Sequence, residues 1–156
     1  MRAPLVADLM HTSVVSLTSP MPLLDAAHTL LRTGHSGAPV VDADQRVIGV
    51  LSEADVLDVL ASAAFYGSSD ATVAERMSDV ADTVRADDDL FALVDRFKAH
   101  PVRRLPVVDV EGRLVGIIGR HDVLEALARL VEEAHPLLRH ASYAALRQRF
   151  AVEPAS

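Results

Sequence analysis

The chain has 156 residues, half of them hydrophobic, with a formal net charge of −7 and no cysteine. That length suffices for one substantial core or for two small units sharing one, and the missing cysteines exclude disulfides, thiolate chemistry and cysteine metal sites. The acidic balance disfavours a nucleic-acid binder, whose affinity depends on neutralising phosphates.

In chain order, residues 6–10 read as a short helical turn and 14–17 as a brief strand, closed by Ser19 and Pro20. No apolar run reaches the roughly 18 residues of a membrane span. Asp8 and His11 interrupt any signal-like apolar region, so a cytoplasmic setting is expected. Residues 22–33 predict a helix whose apolar face is Leu23, Leu24, Ala26, Ala27, Leu30 and Leu31, stopped by Gly34. An apolar strand at 38–41, a turn at 42–46 and a second apolar strand at 47–51 form a hairpin pattern, followed by a helix over 55–64. Residues 65–71 are rich in turn formers and read as a linker. The same strand, helix, strand, strand, helix order comes next. Asp87, Asp88 and Asp89 precede its first helix as capping and dipole complement, with Leu90, Phe91, Leu93, Val94 and Phe97 on the buried side. The last helix is expected to run to about residue 134. Pro136 suits the first turn of a further helix to residue 150, with no counterpart earlier in the chain.

A constant shift of 67 residues relates the two halves. It takes Met10 to Met77, Pro39 to Pro106, Asp42 to Asp109, Arg46 to Arg113, Gly49 to Gly116 and Asp55 to Asp122, without a gap from Val6 to Leu60. At the centre of each half an apolar strand runs straight into a helix: Gly49 to Leu57, and Gly116 to Leu124. Ser52 sits where an N-cap belongs and Asp55 lies one turn on. The exposed N–H groups of a first turn suit a phosphate, and a carboxylate there can accept hydrogen bonds from two neighbouring ribose hydroxyls. Ser-x-x-Asp is also a capping box, which does no more than start a helix. In the second copy Gly119 replaces the serine while Asp122 remains.

Two apolar-Pro-Val-Val-Asp segments, each followed by a turn, a strand through Gly49 or Gly116 and a helix carrying Asp55 or Asp122, resemble a tandem pair of CBS domains, a Bateman module. The resemblance covers about residues 5–128. It implies an α/β fold of two β-α-β-β-α repeats, residues 5–64 and 72–128, packed as a pseudo-twofold pair, with a helical extension at 129–156. It further implies a non-catalytic regulatory module that needs no cofactor. Such a module binds an adenine nucleotide (AMP, ADP or ATP) or S-adenosylmethionine in the cleft between repeats, and a homodimer with an unnamed regulated partner is expected. By that resemblance Asp55 holds the ribose with Ser52 nearby, and Asp122 matches the same role in a second site weakened by Gly119. Arg103, Arg104 and His121 would face phosphate from across the cleft. Ser16 and Thr83, which match each other, would stand beside the adenine.

Other readings stay open. The clefts could be empty and the chain a structural dimerisation or adaptor module, or the Arg-bearing C-terminal helix could bind nucleic acid. No metal-ligand spacing, nucleophile–base pattern or Gly-rich phosphate loop is visible. The C-terminal helix could cover its own core, a twin chain or another protein.

Overall fold

The computed structural model describes residues 2–68 and 70–136; the expected helix from Pro136 to residue 150 falls almost wholly outside them. The first half comprises α1 (Val6–Leu9), β1 (Leu17–Thr18), α2 (Leu23–Thr33), β2 (Gly37–Val41), β3 (Val47–Ser52) and α3 (Glu53–Tyr66). The second comprises α4 (Val73–Arg76), β4 (Val84–Arg85), α5 (Leu90–Ala99), β5 (Arg104–Val108), β6 (Leu114–Gly119) and α6 (Arg120–Ala134). The β-α-β-β-α order expected for each repeat is present. α3 runs through Phe65 and Tyr66, inside the expected linker, because nothing breaks it before Gly67, whose φ of 91° supplies a left-handed cap.

Each repeat makes a three-stranded sheet in the order β1-β2-β3 or β4-β5-β6. The outer pair is parallel (Leu17 opposite Val40, Val84 opposite Val107) and the hairpin pair antiparallel. The hairpin turns arise from their aspartates: Asp42 Oδ1 accepts from the N–H groups of Asp44 and Arg46 at 2.9 Å, and Asp109 Oδ1 from those of Glu111 and Arg113 at 2.9 and 3.0 Å. The next tight position needs positive φ. Gly112 takes it at 80°, and Gln45 takes it at 65° against the steric cost of a Cβ.

The leading turns change places. α1 packs on the second repeat and α4 on the first, so Val6 is fully buried in the core with Val84, Leu90, Leu93 and Leu105, and Val73 in the core with Leu17, Leu23 and Leu51. Val6 N–H donates to Asp88 O at 2.8 Å, and Val73 N–H to Met21 O at 2.9 Å. His11 and Ile117 exchange both backbone bonds at 2.9 Å, as do Ser78 and Val50. The crossing is a close fit at two glycines. A Cβ on Gly49 would lie 2.8 Å from Met77 Sδ, and one on Gly116 would lie 2.8 Å from Met10 Sδ. At the other end the hairpin turns meet, with Val47 N–H on Gly112 O at 3.1 Å and Leu114 N–H on Gln45 O at 2.9 Å. A repeat of this size buries too little sheet alone, and the exchange gives each one an extra apolar side chain from its twin.

The buried helix faces are narrower than the sequence pattern. Leu23, Ala26, Ala27, Leu30, Leu90 and Leu93 are buried, whereas Leu24, Leu31 and Phe91 are exposed. Each helix has only one sheet to cover, so the rest of its apolar stripe lies outside that contact. Leu57 and Leu124 are exposed as well.

Candidate functional site

The exchange of leading turns creates a cleft between the repeats of about 910 Å³. One wall is the β6–α6 junction with the entry to β5: Arg103, Arg104, Gly119, Arg120, His121, Asp122 and Glu125. The other is first-repeat chain: His11, Ser13, Val14 and Val15 ahead of β1, and His35, Gly37 and Pro39 around β2. The volume falls within the range of small-molecule sites, and an apolar floor with polar groups on its walls is their usual makeup.

Asp122 is the pivot of this cleft. Its Oδ2 accepts from Gly119 N–H at 2.8 Å, which ties it to the start of α6, and its Oδ1 lies 2.9 Å from His11 Nε2. His11 comes from the opposite repeat, delivered by the crossing of α1. Arg120 N–H donates to Arg103 O at 2.9 Å, so the β5 entry is fastened to the first turn of α6. Arg104 runs past Gly119, with its Cγ 3.7 Å from where a Cβ there would be, and its Nη1 donates to Nδ1 of His35 at 3.1 Å. No side chain caps α6, because Gly119 has none to offer, so the Asp122 N–H, counterpart of the Asp55 N–H that Ser52 engages, is left without a side-chain cap.

The first-repeat helix start is closed on itself. Ser52 Oγ accepts from Asp55 N–H at 3.2 Å and donates to Asp55 Oδ2 at 2.9 Å, while Ser52 N–H donates to the same Oδ2 at 2.8 Å. This is a complete capping box.

Of the residues singled out from the sequence, Arg103, Arg104, His121 and Asp122 line the cleft together, and Ser52, Asp55, Ser16 and Thr83 are not among its lining residues. The sequence pattern joins Ser52 and Asp55 to Arg103, Arg104 and His121. The structure sets those basic residues around Asp122 instead, because β5 pairs with β6 in its own sheet and so brings its entry to α6, not to α3. His11, His35 and Arg120 also line the cleft. His11 could have been found only by knowing that α1 crosses over; Arg120 stands beside His121 in the motif itself.

The 67-residue shift lets the residues lining this cleft be compared with their counterparts in the other repeat, and the two sets differ in charge. Arg103, Arg104 and Arg120 correspond to Ser36, Gly37 and Glu53, and His11 and His35 to Ser78 and Val102. Val15 corresponds to Asp82, which is held by Arg96 Nη1 at 2.6 and 2.8 Å and lies 3.4 Å from His100. That hydrogen bond, then the charge of Asp82, raises the Arg96 guanidinium above its ordinary value. Among the described residues no group of three His, Cys, Asp or Glu is placed to hold a metal ion, and no helix is long and apolar enough to cross a membrane.

Comparison with known proteins agrees with this architecture. The CBS domain family matches twice, at residues 6–62 and 73–129, so the chain belongs to the CBS domain family and carries two copies in tandem. It is 36% identical over 96 residues to an inosine-5′-monophosphate dehydrogenase of Halobacterium salinarum, covering 60% of this chain and 18% of that protein. It is 26% identical over 125 residues to a homoserine O-acetyltransferase of Methanosphaerula palustris, covering 80% of this chain and 24% of that one. The chain therefore spans a quarter or less of the length of these relatives. Among solved structures, CBSX2 in complex with AMP superposes with a TM-score of 0.68 at 26% identity, over 81% of this chain and 97% of that one. The CBS domain pair of protein MJ0100, in complex with 5′-methylthioadenosine and S-adenosyl-L-methionine, shares the fold with a TM-score of 0.68 at 22% identity, over 81% and 98% of the two chains.

Proposed function

We propose that this chain is a non-catalytic regulatory module. It binds an adenosine-containing ligand, an adenine nucleotide or S-adenosylmethionine, in the cleft around Asp122, and it passes the resulting rearrangement of its repeats to a partner. The observation that carries the reading is the cleft itself: the Asp122 carboxylate and an uncapped helix start stand beside the guanidiniums of Arg103, Arg104 and Arg120. A carboxylate there accepts hydrogen bonds from the two hydroxyls of a ribose, while guanidiniums and backbone N–H groups donate to phosphate. His121 adds a donor on the same wall. The AMP held by the related CBSX2 supports the ligand class. Regulation is possible because both walls meet at Asp122 and His11. A ligand that engages Asp122 competes with His11 and so binds the two arrangements of the repeats with different affinity, which is the condition for shifting them.

The regulated readout is best served by a homodimer. Exposed Leu24 and Phe91, and exposed Leu57 and Leu124, are pairs under the 67-residue shift. They put matching apolar residues on the helices of both repeats, as a twofold contact with a second copy requires. A cytoplasmic setting, suited to a nucleotide ligand, completes the proposal.

The test is a thermal-shift titration of the full chain with adenosine compounds. A ligand at about 100 times its Kd adds about 2.7 kcal/mol of stability, and Asp122→Ala should remove that gain, read against the variant's own unliganded melting curve, which the loss of the Gly119 and His11 contacts lowers. If no adenosine compound moves the melting curve, the chain is an adaptor with an empty cleft.

A further inference from the structure

Resting on that reading of the cleft, we infer that His11 is a proton-sensitive latch on Asp122: the protonated imidazole holds the carboxylate that the nucleoside needs, so the module reads acidity together with its ligand. His11 Nε2 lies 2.9 Å from Asp122 Oδ1. The other oxygen, Oδ2, is committed to the Gly119 N–H at 2.8 Å, so Oδ1 is the one a ribose must win. The His11 side chain is 65% exposed and that of Asp122 18%, which opens the imidazole to protons from solvent while the carboxylate stays sheltered. His11 does not leave as a whole, because its backbone exchanges two bonds with Ile117 at 2.9 Å; its side chain is the part that swings. The counterpart position shows that the crossing itself has no need of a histidine. Ser78, 67 residues on, makes the same backbone exchange with Val50 at 2.9 Å. Its hydroxyl gains no proton in this range, and there Asp55 closes on Ser52 instead.

A histidine changes charge between about pH 5 and 8. Neutral, it gives the carboxylate an ordinary N–H···O bond; protonated, it gives a charge-assisted and stronger one. A nucleoside that takes Oδ1 forfeits more in the second case, so proton and ligand oppose each other. By linkage, the bound ligand drives the proton off to the same degree. Affinity therefore rises with pH through the histidine range. Other charged groups face the pair: Arg103 and Arg104 from the entry to β5, Arg120, His121 and Glu125 from α6, and His35 ahead of β2. The guanidiniums repel a proton there and the carboxylates of Asp122 and Glu125 attract it, with Asp122 the acid in contact with the ring. Asp8 on α1 is turned to the Leu5 N–H at 2.9 Å. His35 accepts from Arg104 Nη1 at 3.1 Å. Among the described residues, His11 is the cleft histidine with a carboxylate at ion-pair distance.

The deciding experiment is isothermal titration calorimetry of the full chain with adenosine and with AMP, at about pH 6 and about pH 8. Each titration is run in two buffers of unlike ionisation enthalpy, for wild type, His11→Gln and His11→Ser. Adenosine carries the ribose without a phosphate, and the titration of AMP itself cancels in the ratio of wild type to variant. Glutamine donates to a carboxylate but takes up no proton, and serine is the residue that the counterpart position already tolerates. At the lower pH wild type should bind about threefold more weakly than either variant. At the higher pH that gap should close for His11→Gln. Binding should release protons from wild type at the lower pH, and the release should vanish in both variants. Equal affinities of wild type and His11→Gln at both pH values, a proton release unchanged in the variants, or variants that bind more weakly than wild type at the lower pH would each overturn the latch while leaving an adenosine site standing. No binding of either compound by wild type at either pH would instead overturn the underlying assignment of the cleft.

Discussion

The interlock of the two repeats can be tested at Gly116. A Cβ at this position would stand 2.8 Å from Met10 Sδ and 3.0 Å from the backbone oxygen of His11. The methionine can turn aside, but the carbonyl cannot, because His11 and Ile117 exchange both backbone bonds at 2.9 Å. Gly116→Ala therefore pushes the crossing segment off β6. Overpacking of this kind costs about 1–3 kcal/mol. Restricting the unfolded chain by replacing glycine returns about 0.4–1 kcal/mol, so the net loss should be about 1–2 kcal/mol. For a chain of this size that lowers the melting midpoint by roughly 2–8 °C. Gly49→Ala meets the same obstacle, with Met77 Sδ at 2.8 Å and Ser78 O at 3.0 Å, and should cost as much. The two part company at the cleft. Gly116→Ala displaces His11 from Asp122 and should change ligand affinity several-fold, whereas Gly49→Ala should leave it alone. Urea unfolding monitored by circular dichroism gives the stabilities, and calorimetric titration with ATP gives the affinities. Wild-type stability in Gly116→Ala, or an affinity change confined to Gly49→Ala, would refute the account of the crossing.

Four further outcomes are expected. Ser52→Ala opens the capping box of α3 and should cost about 1 kcal/mol in urea unfolding without changing nucleotide affinity. Gly119→Ser should add a few tenths of a kcal/mol yet weaken the ligand, since its hydroxyl would occupy the Asp122 N–H. A loss of binding in Ser52→Ala would move the site to the start of α3. Asp109 is held below its ordinary value of 3.8, first by the backbone N–H of Arg113 and then by its side chain and the N–H of Glu111. Its folded pKa lies below the unfolded one, so its contribution is present above about pH 3.8 and fades as pH falls through the folded value. The stability gap between wild type and Asp109→Asn should accordingly close on acidification, and a gap independent of pH would contradict this. Leu57→Arg with Leu124→Arg places charge on the exposed helix faces of both repeats. Sedimentation velocity should show the proposed homodimer in the unaltered chain and a monomer in the variant, with little change in unfolding midpoint, and an unchanged oligomeric state removes that interface from consideration.

Much of the fold is legible because duplication wrote it twice. A single apolar-Pro-Val-Val-Asp segment says little, but the same set at a constant 67-residue spacing fixes element order and the hairpin turns. What the repeat does not disclose is where the leading turns go. Val6 and Val73 are the same residue type and meet equally apolar cores, so a turn packed on its own repeat and one packed on its twin have the same sequence pattern. The helix faces read too broadly for a related reason. Leu24 and Phe91 have the hydropathy of core residues, and only the width of the sheet beneath decides that they stay outside.

The difference between the motif and the proposed site has one cause, and it explains how a duplicated chain comes to hold two unlike helix starts. Ser52 and Asp55 match the expected motif better than Gly119 and Asp122, but a closer match is not fitness to bind. A hydroxyl that completes a capping box is already used: Ser52 satisfies the N–H of Asp55 and donates to its carboxylate. Gly119 leaves the equivalent N–H without a side-chain cap, and Arg103, Arg104 and Arg120 replace Ser36, Gly37 and Glu53 around it. At the counterpart of Val15, Asp82 is clamped to Arg96, so its charge is spent within its own repeat. Helix start and charge thus change together. The copy with the better cap stabilises its helix, and the copy without one keeps a first-turn donor and guanidiniums for the proposed ligand. Exchanging one without the other should not move the site: Ser52→Gly alone, lacking the three arginines, should leave the first-repeat start unable to bind ATP by calorimetric titration, and measurable binding there would show that the uncapped helix start suffices without them.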